Sequence, residues 1–280
     1  MIWLWVTLAV LALLALGWLF CLLPRRGERS VQRLKRFRYA HRGLHNIQRG
    51  VPENSLLAFR YAVSGGFGVE MDVRLSRDRV PVVIHDGHLQ RLCGVDGFVE
   101  RSTVEQLQKL RLLGTGETIP TLEEALSAVR GQVPVLLELK SYKNNVRDLC
   151  LKTTQLLESY RGEAAVISFD PRVLRWMRRN EPFLLRGQLL ETRRESEGRR
   201  RFGLLARLHA LLLTNVFTRP DLLLCPVQNR RGRSLRLCVD VLKGQEVCWT
   251  IQDQRELERS EAAGAMVIFE GFLPLKKVDT

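Results

Sequence analysis

Residues 68–86 read GVEMDVRLSRDRVPVVIHD, and the number of strands in the fold turns on how this stretch pairs. Glu70 and Asp72 stand two apart in an apolar, β-branched run, so both carboxylates leave one face of an extended segment. Residues 80–84 form a second strand-like run, reached after only a few polar residues and ending in His85-Asp86. So short a connection joins antiparallel strands, because a parallel crossover needs a dozen or more residues. The stretch therefore predicts a hairpin that departs with two carboxylates and returns an imidazole to the same level. Hard oxygen donors on a strand suit Mg2+ or Ca2+, and a neighbouring histidine suits proton transfer near neutral pH. Taken alone, E-x-D is also a common solvent-facing pair, so other segments must bear on the assignment.

Working outward, the chain settles into alternation from residue 133 onward. Strands are predicted at 133–140, 164–169, 184–190, 221–227, 246–251 and 265–269. Helices are predicted at 145–160, 171–179 and 204–217, then through Leu237 and around Glu256. Upstream, 37–41 reads as a strand and 53–64 as a helix. Short helices follow at 102–110 and 121–130, with Thr121 as N-cap and Glu124 three residues later. With the His85 segment taken as a hairpin return and not a rung, eight β/α units remain, the size of a (β/α)8 TIM barrel. An open doubly wound sheet is the alternative, but no G-x-G-x-x-G follows the first strand.

The 280 residues carry a formal net charge of +14 and are 45% hydrophobic, enough for a sizeable core and a reason to expect an anionic partner. Residues 1–23 are almost wholly apolar and stop at Pro24-Arg25-Arg26; about 20 such residues match a hydrocarbon core of about 30 Å. No basic residue precedes the run and no A-x-A-like site follows, so it is read as a transmembrane helix and not a cleaved signal peptide. Residues 24–36 are read as a basic linker and 37–280 as the catalytic domain. Arg25, Arg26, Arg29, Arg33, Lys35, Arg36 and Arg38 all follow the span, which by the positive-inside rule places that domain in the cytoplasm. The scattered cysteines, with no C-x-x-C, read as buried thiols and agree with that compartment. Nucleic acid is not an expected partner, since the basic residues concentrate beside the span and no fingerprint of such binding is present. Segment 198–217 opens with Arg199-Arg200-Arg201 and turns apolar. It either packs on the barrel or lies on an anionic lipid surface, which would point the pocket at the bilayer.

In a barrel of this kind chemistry sits at the carboxyl ends of the strands. His41-Arg42 ends the first strand, Glu70 and Asp72 lie late on the second, and Glu138 and Lys140 close the third. Glu138 and Lys140 share a face, the lumen if Leu137 and Leu139 meet the helices. Charge on three neighbouring strands is costly to bury unless it is paired or metal-bound.

The order H-R-G (41–43), P-E-N-S (52–55) with Phe59 following, E-x-D-V (70–73), P-V-V-x-H-D (81–86), E-L-K (138–140), S-F (168–169) and W-T (249–250) resembles the glycerophosphodiester phosphodiesterase family. The resemblance covers about residues 39–251. It implies a TIM barrel that hydrolyses glycerophosphodiesters to an alcohol and glycerol 3-phosphate; the membrane-facing reading of 198–217 would add lysophospholipids as further substrates. It also implies His41 and His85 as the acid/base pair and Glu70, Asp72 and Glu138 as ligands of a divalent metal, Mg2+ or Ca2+. Arg42 and Lys140 would hold the phosphate, and Trp249 would line the alcohol pocket. Glu53 and Asn54 are read as capping the helix that follows them. There are three departures, the mildest being V-R-L-S-R-D (73–78) after Asp72 where V-x-x-T-x-D is commoner. Phe269-Glu270-Gly271 with Pro274 stands where the family has T-D, and no large insertion follows His85-Asp86, leaving 87–97 to cover the site. His45, His88 and His209 receive no role. A phospholipase C or sphingomyelinase D type of enzyme, and a non-catalytic membrane-tethered phospholipid binder, are the alternatives.

Overall fold

The computed structural model describes residues 1–25, 28–190, 208 and 211–275. Strand β1 (Tyr39–Ala40) is short, while β2 (Gly68–Leu75) buries all eight of its residues. Val69, Met71, Val73 and Leu75 join the core between barrel and helices, which leaves Glu70, Asp72 and Arg74 on the opposite, inward period. Strand β3 (Pro81–Val83) returns antiparallel to β2, with Val73 opposite Val83. Strand β4 (Val135–Leu139) runs parallel to β2 on its other side, with Asp72 opposite Glu138. The wall continues through β5 (Ala164–Ser168), β6 (Leu185–Leu189), β7 (Leu222–Pro226), β8 (Gln245–Ile251) and β9 (Met266–Phe269). Strand β1 closes it, parallel to both β9 and β2. With β3 as the predicted hairpin return, eight parallel strands form the predicted (β/α)8 barrel.

Among the described residues the α-helices are α1 (Ile2–Leu22), α2 (Glu28–Lys35), α3 (Leu56–Ser64), α4 (Gln90–Cys93), α5 (Val104–Gln108), α6 (Leu122–Val129), α7 (Val146–Ser159), α8 (Pro171–Asn180), α9 (Asn215–Thr218), α10 (Arg233–Arg236) and α11 (Gln254–Ala262). Their starts follow from local chemistry. Thr121 and Glu124 form the predicted capping box on α6, and Asp170 caps α8 with Pro171 at its first position. Ser55 caps α3 by accepting from the amide of Ala58, so Glu53 and Asn54 are not its cap. Of the helix expected at 204–217, residues 204–207, 209 and 210 lie outside the described residues. Residues 211–214 form a turn, followed by the four-residue α9.

Two further segments differ from the expectation. The basic stretch 24–36 is not a free linker, because it carries α2. Val31 and Leu34 of that helix are buried in one cluster with Tyr39, Leu136, Leu222 and Met266. The Tyr39 hydroxyl donates to the Leu34 carbonyl at 2.9 Å. Helix α2 thus plugs the amino-terminal end of the barrel. Between β3 and α6, residues 82–119 build a small cap with its own core, including Ile84, Leu92, Val99, Leu107, Leu112 and Ile119. Loop 87–97 is therefore one edge of a packed unit and not a lone cover.

Among the described residues, helix α1 meets the barrel at its last turn. Residues 1–18 are exposed, whereas Leu22 is fully buried. The Leu22 carbonyl accepts from Asn215 Nδ2 at 3.1 Å and from Cys238 Sγ at 3.2 Å. Arg219 Nη1 donates to the carbonyls of Phe20 and Leu23, both at 2.9 Å. By length and composition α1 is apolar enough to cross a membrane.

Candidate active site

The turn after β1 sets the first corner of the site. Arg42 and Gly43 both take positive φ, 55° and 80°, which swings the Arg42 amide onto Glu70 Oε2 at 2.9 Å. A Cβ on Gly43 would lie 2.9 Å from the backbone carbon of Ala58, so the H-R-G turn needs glycine both for its conformation and for α3 to approach. Asn54, also at positive φ (56°), donates its side-chain amide to Asp72 Oδ2 at 2.8 Å and accepts from the Asp72 amide at 3.2 Å. Arg42 Nη1 donates to Glu53 Oε1 at 2.7 Å. Arg91, from the cap, reaches both Glu53 oxygens at 2.8 Å. Glu53 and Asn54 therefore belong to the walls of the site, fixing Arg42 and Asp72.

On the next two strands, Glu70, Asp72 and Glu138 each offer an oxygen within 4.8 Å of the others, all three buried. Lys140 Nζ donates to Glu138 Oε1 at 2.6 Å and lies 3.1 Å from Asp72 Oδ1. Burial and the two neighbouring carboxylates push the Glu70 carboxyl well above its usual range. Burial would raise Asp72 as well, but Lys140, His85 and Arg42 overcome it and hold that carboxyl far below. Three carboxylates against Lys140 and Arg42 leave the cluster one negative charge in excess when all are ionised. Asp72 Oδ1 is buried without a well-directed hydrogen bond. An all-oxygen donor set with surplus negative charge fits a hard divalent cation. Cys225, Glu246 and Cys248 are a second buried group with converging ligand atoms, but Arg230 already occupies both Glu246 oxygens, at 3.0 and 3.1 Å.

Each histidine is tied by one ring nitrogen to a carboxylate. His41 Nδ1 lies 2.7 Å from Glu270 Oε2 and His85 Nδ1 lies 2.6 Å from Asp86 Oδ1. The second nitrogen of His41 is thereby turned inward, 3.9 Å from Glu70 Oε2. Burial would raise Glu270 and Asp86. Hydrogen bonds from His41 and His45 to the first, and from His85 and Arg91 to the second, bring both carboxyls well below the usual range. Glu270 occupies the departure from T-D, and it still delivers a carboxylate to His41. His45 Nε2 lies 3.2 Å from the other Glu270 oxygen.

A cavity of about 280 Å³ brings these groups together, lined by His41, Arg42, Glu70, His85, Glu138 and Lys140 on one side. Ile167, Phe169, Leu189, Trp249 and Ile268 form its apolar side. All eight residues singled out in the sequence thus meet here, Asp72 just behind the wall. Sequence reading missed Glu270, Asp86, Glu53, Asn54, Arg91 and Phe169. Glu270 and Phe169 immediately follow strands β9 and β5, so the rule that chemistry lies at the carboxyl ends of strands would have flagged both.

A TIM barrel whose carboxyl-end rim gathers carboxylates, cationic side chains and imidazoles belongs to the class of barrels built to hold a cation beside an anionic group. Residues 41–269 match the model of the glycerophosphoryl diester phosphodiesterase family, and the chain belongs to that family. It is 35% identical over 162 residues to a glycerophosphodiester phosphodiesterase of Caldanaerobacter subterraneus, covering 54% of this chain and 65% of that one. It is 31% identical over 152 residues to human glycerophosphodiester phosphodiesterase 1, covering 51% of this chain and 45% of the relative. The chain thus spans less than two thirds of either relative's length. Among solved structures, a phosphodiesterase of Oleispira antarctica in complex with sn-glycerol-3-phosphate has a TM-score of 0.70, with 22% identity over 86% of this chain and 94% of that one. A glycerophosphodiester phosphodiesterase of Thermotoga maritima has a TM-score of 0.65, with 24% identity over 83% of this chain and 94% of that one. These two likenesses bear on the fold.

Proposed function

We propose that the chain is a membrane-anchored phosphodiesterase that hydrolyses glycerophosphodiesters to an alcohol and glycerol 3-phosphate. The observation that carries the reading is the meeting of three buried carboxylates, two cationic side chains and two carboxylate-tethered imidazoles around one cavity. Glu70, Asp72 and Glu138 would hold a divalent ion, Mg2+ or Ca2+. When bound, that ion supplies electrostatic stabilisation of the charge that grows on the phosphoryl oxygens. Arg42 and Lys140 orient the phosphate and share in that stabilisation. One of His41 and His85 takes the proton of the attacking water, or of a neighbouring substrate hydroxyl whose cyclic product water then opens, through Nε2, and the other protonates the departing alkoxide. Glu270 and Asp86 hold the two rings by Nδ1, which keeps Nε2 on the cavity. Trp249, whose indole N–H has no partner among the described residues, and Phe169 border the alcohol moiety.

The anchor is α1, read as a single span with the catalytic domain in the cytoplasm. A lysophospholipid carries the same glycerophosphate group with an acyl chain, so it belongs in the substrate test. The purified full chain is assayed on a panel of soluble glycerophosphodiesters and lysophospholipids after chelation, then with Mg2+ or Ca2+ restored. Expected is metal-restored release of the alcohol with glycerol 3-phosphate as co-product. Release of a phosphorylated alcohol, or of a cyclic phosphate as the final product, would favour the phospholipase types. No turnover with retained lipid binding would favour the non-catalytic reading.

A further inference from the structure

The foot of α1 and the catalytic cavity lie at opposite ends of the barrel. Pro220, whose carbonyl accepts from the Arg25 amide at 2.9 Å, precedes β7. Gly244, beside which Pro24 Cγ would stand 3.4 Å from an added Cβ, precedes β8. Both mark the amino-terminal face, whereas His41, Glu138, Lys140 and Glu270 stand at the carboxyl ends. Strands of five residues at about 3.3 Å per residue put roughly 15 Å of wall between the two faces.

Around that foot the amino-terminal face exposes large apolar side chains from three successive β/α units. Phe183, before β6, is 90% exposed; Phe217, on α9, is 56% exposed; Val241, before β8, is 62% exposed. Cationic groups are set among them. Arg175 stacks over the Phe217 ring at 5.6 Å, Arg178 donates to the Val216 and Phe217 carbonyls, and Lys243 is exposed beside Val241. Apolar tips inside a cationic collar, continuous with a hydrophobic helix, match the boundary between acyl chains and anionic headgroups.

We infer that this amino-terminal face rests on an anionic membrane and that the catalytic mouth opens away from it, so that the site takes its diester from the water and not from lipid embedded in the membrane that anchors it. The inference rests on the reading of α1 as a span and of the cavity as a phosphodiesterase site. A lysophospholipid whose phosphate lies in the headgroup layer would have to bring its acyl chain wholly into water to reach the mouth.

The test uses the full chain in phosphatidylcholine–phosphatidylglycerol nanodiscs. Photoreactive benzoylphenylalanine replaces Phe183, Val241 or, on the cap beside His88, Phe98, three exposed positions outside the catalytic cluster. Expected are lipid adducts from 183 and 241 and none from 98, together with turnover of soluble diesters and loss of turnover for lysophospholipid embedded in the same disc. Adducts from 98 but not from 183 and 241, absence of adducts at all three, or turnover of the embedded lysophospholipid at the rate of soluble diesters overturns the inference. Adducts from 183 and 241 without turnover of any substrate uphold the docking face and overturn the phosphodiesterase reading. Release of the chain from native membranes by alkaline carbonate overturns the span.

Discussion

Glu270 and Asp86 each hold one ring nitrogen of His41 and His85, and in the proposed mechanism the other nitrogen of each ring serves the substrate. His41→Ala and His85→Ala are each expected to lower kcat by roughly 10²–10⁴, with metal affinity close to that of the parent chain and a Tm lowered only by the loss of the pairing to Glu270 or Asp86; single-turnover assays and calorimetry check this. The carboxylates also set the response to acid. Asp72, Asp86 and Glu270 sit below their usual range in the fold, so their contribution is complete above the unfolded values, about 4, and is lost as pH falls through the folded ones. Glu270→Gln removes one such group. The stability gap between parent and variant is expected to be constant at neutral pH and to narrow below about pH 4, as read by thermal unfolding across that range. The two histidines, the two arms of E-x-D and the E-L-K pair were legible in the sequence because each recurs at strand spacing beside an apolar run. Glu270 was hidden because its role comes from closure of the barrel, which sets the end of β9 beside the end of β1 across 229 positions of chain.

Among the elements, the H-R-G turn is the most exacting. Gly43 combines a φ of 80° with the Ala58 backbone at its side, so Gly43→Ala forces α3 outward or the turn out of shape. A loss of about 1–3 kcal/mol is expected, the usual range for overpacking, together with reduced activity because Arg42 rides on the turn. Denaturant midpoints and kcat/KM check both. Strands and the α6 capping box were readable because their signals are local: β-branched runs, and a Thr with Glu three residues on. Helix α2 was not, because Val31 and Leu34 are its only buried apolar residues among abundant charge, and burying them takes the floor of a barrel folded from distant strands. The cap escaped notice for a similar reason, since its core gathers residues from 82 to 119 at no single period.

At the scale of the whole molecule, net charge and pocket charge have opposite signs. The chain is +14 overall, yet its centre holds three carboxylates, with Glu70 pushed well above its usual range. As pH rises through the Glu70 range, the metal-free fold must carry a buried anion, which lowers its stability; a bound cation removes that cost and competes with the proton. Mg2+ or Ca2+ is therefore expected to raise Tm, and by more at about pH 8 than at about pH 5, with Glu70→Gln abolishing the difference in thermal-shift measurements.

Helix α2 has one more consequence. Because it closes the floor of the barrel, the described residues leave the cavity open at the carboxyl ends of the strands, and the last product leaves by the rim through which the next reactant enters. Glycerol 3-phosphate is expected to compete directly with the diester, raising KM and leaving kcat unchanged in initial-rate assays. Inhibition that instead lowered kcat would mean that the two can be lodged in the protein together.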